Sequence, residues 1–236
     1  MAEKNLTVSS ECNHQSKSHS ACISKVPIFN HLENEQMDEI MQTVRPVSFK
    51  KGELLYRAGE VSDSLYIVNQ GKVKIYRLSA GGKEQLIRLL LPGDFTGELA
   101  LFHEGTHEVY AEAMEKASIC MITRTELQQF LLKFPSISLK ILQEFSSRLD
   151  TTEKQASRTA MENVETRLAM FLAETMDKAG TQEFILPMSK KDTASYLGTT
   201  PETISRKLAE LEKQGYIKQK KQKKIEVIDL DGLLLV

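Results

Sequence analysis

Three side chains between positions 202 and 206 have the chemistry and the spacing needed to contact the bases of DNA. Glu202, Ser205 and Arg206 lie at i, i+3 and i+4, so a helix would carry them on one face. Arginine can donate two hydrogen bonds to guanine, glutamate can accept one from the cytosine amino group, and a serine hydroxyl can do either. The spacing predicts a recognition helix that contacts one or two base pairs in the major groove.

Two short helices joined by a tight turn are expected to position this face. Ser189, with Asp192 three residues later, forms a carboxylate variant of the capping box and begins the first helix. Gly198 can take the left-handed conformation that ends it. Thr200 then caps the second helix, and Pro201 occupies its first turn, where no amide hydrogen is needed.

The second helix also has an apolar face, formed by Ile204, Leu208 and Leu211. An ordinary helical hairpin with a solvated polar face would show the same two faces. The spacing of the small residues Ala194 and Gly198 relative to Ile204 favours a DNA-binding helix-turn-helix.

The charge distribution agrees with a DNA-binding C-terminal part. Positions 188–224 hold ten Lys or Arg and four Asp or Glu, a net +6, whereas the whole chain sums to −1. A lysine-rich turn between two predicted strands, Tyr216–Lys218 and Lys224–Ile228, resembles a β-wing. Contacts to DNA phosphates, or support for them, are predicted for Ser189, Lys190, Thr200, Thr203, Lys220, Lys221, Lys223 and Lys224.

Composition excludes several classes of protein. The chain has 236 residues, 41% of them hydrophobic, which is enough for one large domain or two modest ones. No run approaches the ~20 apolar residues that span a bilayer, and no signal segment is present, so a cytoplasmic location without membrane contact is expected. The sequence has no phosphate-binding glycine loop, zinc-protease motif or nucleophile elbow, so we expect no enzymatic activity.

The pattern along the chain predicts an α+β protein in four parts. Residues 1–24 form a polar arm, and residues 25–130 form a β-rich sensor domain that starts with one or two short helices signalled by Asn30. Glycine-punctuated runs up to Thr123 are typical of a compact antiparallel barrel or sandwich. Helical periodicity then continues for about fifty residues, including a dimerisation helix at 131–161, and residues 162–236 form the DNA-binding domain.

The long helix carries apolar and small residues in alternating steps of three and four, which is a heptad spacing. The pattern predicts a dimer seam, although a helix packed on its own domain would look similar. The hydroxylated and small members make the C-terminal half of the seam weak, as a switchable dimer requires. The predicted seam comprises Leu142, Phe145, Leu149, Thr152, Ala156 and Thr159.

Together these segments resemble the CRP/FNR family of bacterial transcription regulators. The resemblance rests on PGDFTGELALF (Pro92–Phe102), the long helix, and TTPETISRKLAELEKQGYI in the C-terminal part. It implies a β-roll of the cyclic-nucleotide-binding type, a dimerisation helix and a C-terminal winged helix-turn-helix. It further implies a homodimer that binds two half-sites of promoter DNA and works with RNA polymerase.

The effector cassette of the family is only partly present. Gly97, Glu98 and Leu99 match its GEL motif as a remnant of the effector pocket. In cyclic-AMP-responsive members an Arg-Ser pair follows and holds the cyclic phosphate, but here those positions are Glu108 and Val109. Since a carboxylate repels a phosphate, the sequence argues against cyclic AMP and leaves another small-molecule effector open.

The recognition helix resembles that of the FNR branch, whose E-x-x-S-R pattern is linked to a TTGA-type half-site. By this resemblance Arg206 contacts guanine, Glu202 the opposing cytosine and Ser205 a neighbouring thymine. Pro201 departs from the residue more common in that branch, which leaves the outermost base open.

The cysteines Cys12, Cys22 and Cys120 are compatible with four hypotheses. The run CISKVPIFNHL (Cys22–Leu32) resembles FNR-like proteins of low-GC Gram-positive bacteria, in which such cysteines form a reversible disulfide, here Cys22 with Cys120. The oxygen-sensing FNR proteins imply instead an iron–sulfur cluster held by the three cysteines. Cys12 and Cys22 are too far apart for the usual tight ligand spacing.

A cluster would take its fourth ligand from a carboxylate, a second chain or a histidine. The third hypothesis is a zinc ion bound by the cysteines together with histidines, and the fourth is a constitutive regulator whose cysteines are inert. The candidate histidines are His14, His19 and His31.

Overall fold

The computed structural model describes residues 26–102 and 104–236, apart from the side chains of Ala100 and Leu101. The described residues form two compact units. The first holds the residues up to Arg77 together with Ile87–Ser147, and the second holds Leu78–Leu86 together with Arg148–Val236.

Residues 45–123 form antiparallel strands, as the glycine-punctuated pattern predicts. One sheet has the order β1-β10-β4-β7, and a second sheet has the order β2-β9-β5-β6. Strands β3 and β8 form a small separate pair. The elements are α1 (Asn34–Thr43), β1 (Arg45–Phe49), β2 (Leu54–Tyr56), β3 (Val61–Ser62), β4 (Ser64–Gln70), β5 (Val73–Leu78), β6 (Glu84–Leu90), β7 (Phe95–Thr96), a 3-10 turn (Glu98–Leu101), β8 (Gly105–Thr106), β9 (Tyr110–Ala113), β10 (Ala117–Thr123) and α2 (Arg124–Lys133).

Helix α1 starts later than the sequence predicts. Its N-cap is Glu33, which forms a capping box with Gln36, so the expected start at Asn30 is wrong. Val26, Ile28 and Phe29 are fully buried and form turns with their neighbours. These apolar side chains hold the chain in the core before the helix begins.

The predicted helical stretch of about fifty residues is interrupted at Pro135. Helix α2 ends at Lys133, and α3 (Ser136–Met161) begins after the proline, not at position 131. Proline lacks an amide hydrogen and disfavours helical geometry in the preceding residue, and Phe134 has φ −125° and ψ 76°. A second interruption lies at Asn163, which caps the next helix by accepting hydrogen bonds from the amides of Glu165 and Thr166.

The second unit contains a helical core and a small sheet of order β11-β13-β12. Its apolar residues come from several elements and include Leu168, Leu172 and Leu211, all at most 1% exposed. No helix in the described part of the chain is both long and apolar enough to cross a membrane. The elements after α3 are α4 (Val164–Ala179), β11 (Glu183–Ile185), α5 (Lys190–Tyr196), α6 (Pro201–Lys213), β12 (Ile217–Gln219), a 3-10 turn (Lys221–Lys223), β13 (Lys224–Val227) and α7 (Leu230–Leu234).

Candidate nucleic-acid interface

The ends of α5 and α6 are fixed by the residues that the sequence singles out. The amide of Asp192 donates to the Ser189 hydroxyl at 3.1 Å, and that hydroxyl lies 2.5 Å from the Asp192 carboxylate. The amide of Thr203 donates to the Thr200 hydroxyl at 3.3 Å. The predicted caps are confirmed. Because these hydroxyls already serve the helix ends, Ser189, Thr200 and Thr203 support the turn through local hydrogen bonds.

Gly198 makes the turn between the two helices. Its φ of +67° lies in the left-handed region, where other residues are disfavoured. The amide of Thr199 donates to the carbonyl of Ala194, which closes the turn. The predicted helix-turn-helix is therefore present, with α5 ending at Tyr196 and α6 beginning at Pro201.

Helix α6 separates its two faces as predicted. Ile204, Leu208 and Leu211 are at most 1% exposed and pack into the second unit. Glu202, Ser205 and Arg206 are all exposed on the other face. An exposed polar face near the start of the second helix is the arrangement that docks into the major groove.

The charges on this face are available for hydrogen bonds. Arg206 has a side chain that is 63% exposed and lies 3.5 Å from Glu210, an i,i+4 surface pair. The backbone amide of Glu202 and the Thr200 hydroxyl lower the pKa of the Glu202 carboxyl, which is therefore an ionised acceptor at neutral pH. An ionised carboxylate is the form that accepts from a cytosine amino group.

Lys207 anchors α6 to α4. Its ammonium group lies 2.7 Å from Glu165 and 2.6 Å from Glu210, and these hydrogen bonds raise the pKa of Lys207. Lys207 adjoins Arg206 in the sequence but is oriented toward α4, so the arginine and the lysine have separate tasks.

Fewer lysines of the wing are free to contact phosphates than the sequence predicts, because two of them form ion pairs. Lys220 lies 2.6 Å from Glu183 and 2.8 Å from Glu226, and Lys224 lies 2.9 Å from Glu183. Hydrogen bonds from the two lysines lower the pKa of Glu183 to about 2. The sequence reasoning missed Glu183, because only the pairing of β11 with β13 brings it to these lysines.

The other lysines assigned to phosphates are unengaged. Lys190, Lys221 and Lys223 are exposed, and none of them forms an ion pair within residues 26–102 and 104–236. Gln222 and Lys223 at the tip of the wing have φ of 60° and 62°, in the left-handed region that costs an L-residue energy. The tip therefore holds its charges on a strained two-residue turn.

The predicted seam residues on α3 differ in their surroundings. Leu142 and Leu149 are 61% and 60% exposed, which leaves them open to a partner helix. Phe145 is half-buried and meets Phe102 edge-on at 5.7 Å. Ala156 is exposed, as are Thr152 and Thr159, whose hydroxyls donate to carbonyls of their own helix at 2.8 Å.

Of the three cysteines, only Cys120 lies within the described residues. It is 1% exposed on β10 and belongs to an apolar cluster that also contains Val26, Ile28 and Phe29. Cys12, Cys22, His14 and His19 lie outside the described residues. In the part of the chain that the structure describes, no group of three or more histidine, cysteine or acidic side chains is placed to hold a metal ion. His31 shares a hydrogen bond of 2.9 Å with the Ser136 hydroxyl, and desolvation, then Lys140, lowers its pKa.

The structure shows the surroundings of Gly97, Glu98 and Leu99, the residues that match the family's GEL motif. Gly97 has φ +84°, and a Cβ there would lie 2.3 Å from the carbonyl oxygen of Ser64, so only glycine fits. Glu98 lies 3.5 Å from Arg88, and Leu99 is 58% exposed. Glu108, at the position of the arginine in cyclic-AMP-responsive proteins, pairs instead with Arg77 at 2.6 Å.

Close to this cassette is a polar aromatic cluster that the sequence did not reveal. The His107 ring stacks on Tyr56 at 3.7 Å, and the Tyr56 hydroxyl lies 2.6 Å from the Thr96 hydroxyl. Burial lowers the pKa of His107 despite nearby carboxylates, and its Nε2 has no hydrogen-bond partner among the described residues. Tyr56, Thr96 and His107 are far apart in the sequence, so no local sequence signal connects them.

Comparison with known proteins agrees with this architecture. Residues 46–134 match the family model "Cyclic nucleotide-binding domain", and residues 166–235 match "Crp-like helix-turn-helix domain". The chain is 34% identical over 213 residues to "Probable transcriptional regulator flp" of Lacticaseibacillus casei, covering 90% of this chain and 96% of that protein. It is 33% identical over 210 residues to "Anaerobic regulatory protein" of Haemophilus influenzae, covering 87% and 80%. The solved structure of FixK2 from Bradyrhizobium japonicum has a TM-score of 0.73 and 28% identity, covering 80% of this chain and 95% of that one.

A β-roll followed by a helix-turn-helix with an exposed polar recognition face defines a DNA-binding transcription regulator. The relatives are regulators and not enzymes, as the sequence predicts. The chain belongs to the CRP/FNR family.

Proposed function

We propose that the protein is a redox-responsive, homodimeric regulator that binds an inverted repeat of TTGA half-sites in promoter DNA. The observation that carries the DNA part is the exposed face of α6. Arg206, Glu202 and Ser205 share it, and the ionised Glu202 suits a cytosine opposite the guanine that Arg206 contacts. Lys190, Lys221 and Lys223 contact phosphates, while Lys220 and Lys224 stabilise the wing through Glu183.

The exposed leucines of α3 support the proposed dimer. Leu142 and Leu149 lie seven residues apart, one heptad, and both are mostly exposed on a single chain. Burial of apolar surface stabilises by about 25 cal/mol per Å², which favours a second copy along this helix. A dimer places two α6 helices on the two halves of an inverted repeat and presents one complex to RNA polymerase.

The proposed redox response is supported by the packing of Val26, close in the sequence to Cys22, in the same buried cluster as Cys120. Val26 lies four residues after Cys22, a span of at most about 14 Å, and packs in the same buried cluster as Cys120. A disulfide between Cys22 and Cys120 releases two electrons and two protons to an oxidant and ties the N-terminal segment to β10. The name of the Haemophilus relative, an anaerobic regulatory protein, is consistent with control by oxidants.

A second candidate is a regulator without thiol control, favoured by the burial of Cys120. A cysteine that is 1% exposed among apolar side chains commonly acts as a small hydrophobe. An iron–sulfur cluster or a zinc ion would also need ligands besides Cys120, and the remaining cysteines lie outside the described residues.

Two measurements, DNA affinity and metal content, distinguish the hypotheses for the cysteines. DNA affinity is measured by fluorescence anisotropy on a TTGA inverted repeat, after treatment with dithiothreitol or with diamide, for the parent and for single alanine variants. We expect the affinity to depend on the treatment in the parent and in Cys12→Ala, the matched control, but not in Cys22→Ala or Cys120→Ala. Equal affinities in all proteins under both treatments would reject thiol control and favour a regulator whose cysteines are inert. If the anaerobically purified protein contains stoichiometric iron and sulfide, or zinc, the cysteines bind a metal site and the disulfide hypothesis is rejected.

A further inference from the structure

Four charged side chains form a row of contacts along α6 and onto α4. Glu210 lies about one turn after both Arg206 and Lys207, at i+4 and i+3, so either cation can reach its carboxylate. Lys207 also contacts Glu165, in the first turn of α4. All four residues belong to the second unit, and their order of contact is Glu165, Lys207, Glu210 and Arg206.

The two cations are not equally close to Glu210. The ammonium group of Lys207 lies 2.6 Å from Oε2 of Glu210, whereas Nη1 of Arg206 lies 3.5 Å from Oε1. The first is a strong charge-assisted hydrogen bond, and the second is longer than the usual range of roughly 2.7–3.2 Å. The hydrogen bond from Lys207 is the largest cause of the lowered pKa of Glu210, and the charge of Arg206 contributes less. Lys207 is therefore the main partner of this carboxylate.

Burial separates the two cations in the same way. The side chains of Lys207 and Glu165 are each 20% exposed, whereas that of Arg206 is 63% exposed. Partly buried ion pairs are screened less by salt than exposed ones. Lys207 is thus held between α4 and α6, while the guanidinium of Arg206 can turn away from Glu210 at little cost.

We propose that Lys207 is a positioning residue for base recognition, because it engages Glu210 and so keeps the guanidinium of Arg206 available for guanine. This inference rests on the proposed contact between Arg206 and guanine. Without the ammonium group, Arg206 would be the remaining cationic partner of the Glu210 carboxylate among the described residues. Arg206 would then have to break a closer ion pair before it contacts guanine. On a duplex without the guanine the pair stays intact, so the penalty falls on the specific duplex alone.

A purely structural role for Lys207 would be to tie α6 to α4 through Glu165. The two roles differ in what removal of the Glu165 carboxylate does. If Lys207 acts only as a tie, Glu165→Gln and Lys207→Gln break the same contact and have the same effect on DNA binding. If Lys207 acts through Glu210, Glu165→Gln leaves the ammonium group to Glu210 and preserves base discrimination.

The test measures the affinity of the full-length protein for a TTGA inverted repeat and for a duplex in which the guanine of one half-site is replaced. Competition anisotropy at fixed salt gives the ratio of the two affinities. Changes in net charge cancel in this ratio, because both duplexes carry the same phosphates. The variants are Lys207→Gln, Glu165→Gln and the double variant of Lys207→Gln with Glu210→Gln. Lys213→Gln is the matched control, since it removes one positive charge from the last turn of α6.

We expect Lys207→Gln to lower the ratio about two- to fivefold, the range that an exposed ion pair provides. Glu165→Gln and Lys213→Gln should keep the parental ratio. The double variant should regain it, because Arg206 then has no carboxylate at position 210 to pair with.

The inference is overturned if Lys207→Gln keeps the parental ratio, if Glu165→Gln lowers it equally, or if the double variant does not regain it. If the parent has no preference for guanine, or if Arg206→Ala keeps that preference, the proposed base contact fails and the inference falls with it. A preference that depends on Arg206 but not on Lys207 overturns the inference alone.

Discussion

Replacing Arg206 by alanine tests the proposed recognition of DNA most directly. The Arg206 side chain is 63% exposed, and it lies 3.5 Å from the carboxylate of Glu210. A surface i,i+4 pair contributes only about 0.3 to 0.5 kcal/mol, so the guanidinium can leave it for guanine at little cost. A bidentate contact provides about 1 to 3 kcal/mol of discrimination against the wrong base.

We therefore expect Arg206→Ala to reduce the preference for the G·C pair of TTGA about 5- to 150-fold in each half-site. The assay is competition anisotropy at fixed salt, with duplexes in which the guanine of one half-site is replaced by each other base, and with a random duplex. Lys213→Ala removes the same charge from the far end of α6 and should weaken every duplex about equally. If Arg206→Ala lowers affinity for specific and random duplexes by the same factor, Arg206 contacts phosphate and the base assignment is refuted.

Three further predictions follow from contacts outside the base-contacting face. Glu183→Gln should release Lys224, whereas Lys220 keeps its ion pair with Glu226. The released lysine should strengthen binding to all duplexes and steepen the salt dependence by about one unit in log–log slope; an effect no larger than in Asp177→Asn would contradict this. Gln222→Gly should raise the free energy of unfolding by about 0.5 to 1 kcal/mol by relieving the left-handed backbone, whereas Lys221→Gly, at negative φ, should lower it in denaturant titrations. The His107 pKa is lowered by burial, so the unfolded chain takes up a proton first as pH falls through about 6.5 and stability is lost below that pH. Thermal melts at pH 7.5 and 5.5 should show a smaller decrease for His107→Asn than for the parent, and an equal decrease would rule out this histidine as the cause.

The helix-turn-helix was predictable because the forces that define it are local. Caps at Ser189 and Thr200, the turn at Gly198 and the apolar spacing of Ile204 and Leu208 all act within a few residues. The helix start at Glu33 was missed because burial of Ile28 and Phe29, a tertiary effect, outweighs the local signal at Asn30. Pro135 is a local signal for a helix interruption, and it decided the start of α3.

By itself, the sequence determined the family and the order of the β-roll and the helix-turn-helix. It also determined the polar and apolar faces of α6, because periodicity and capping depend on residues that are close together in the chain. Only the tertiary structure decided which lysine side chains form ion pairs and which remain free to contact DNA. Strand pairing brings Glu183 to Lys220 and Lys224, whereas Lys221 and Lys223 at the tip of the wing form no ion pair among the described residues. Charge pairing depends on residues that are distant in the chain and a few ångströms apart in space, which a linear pattern cannot specify.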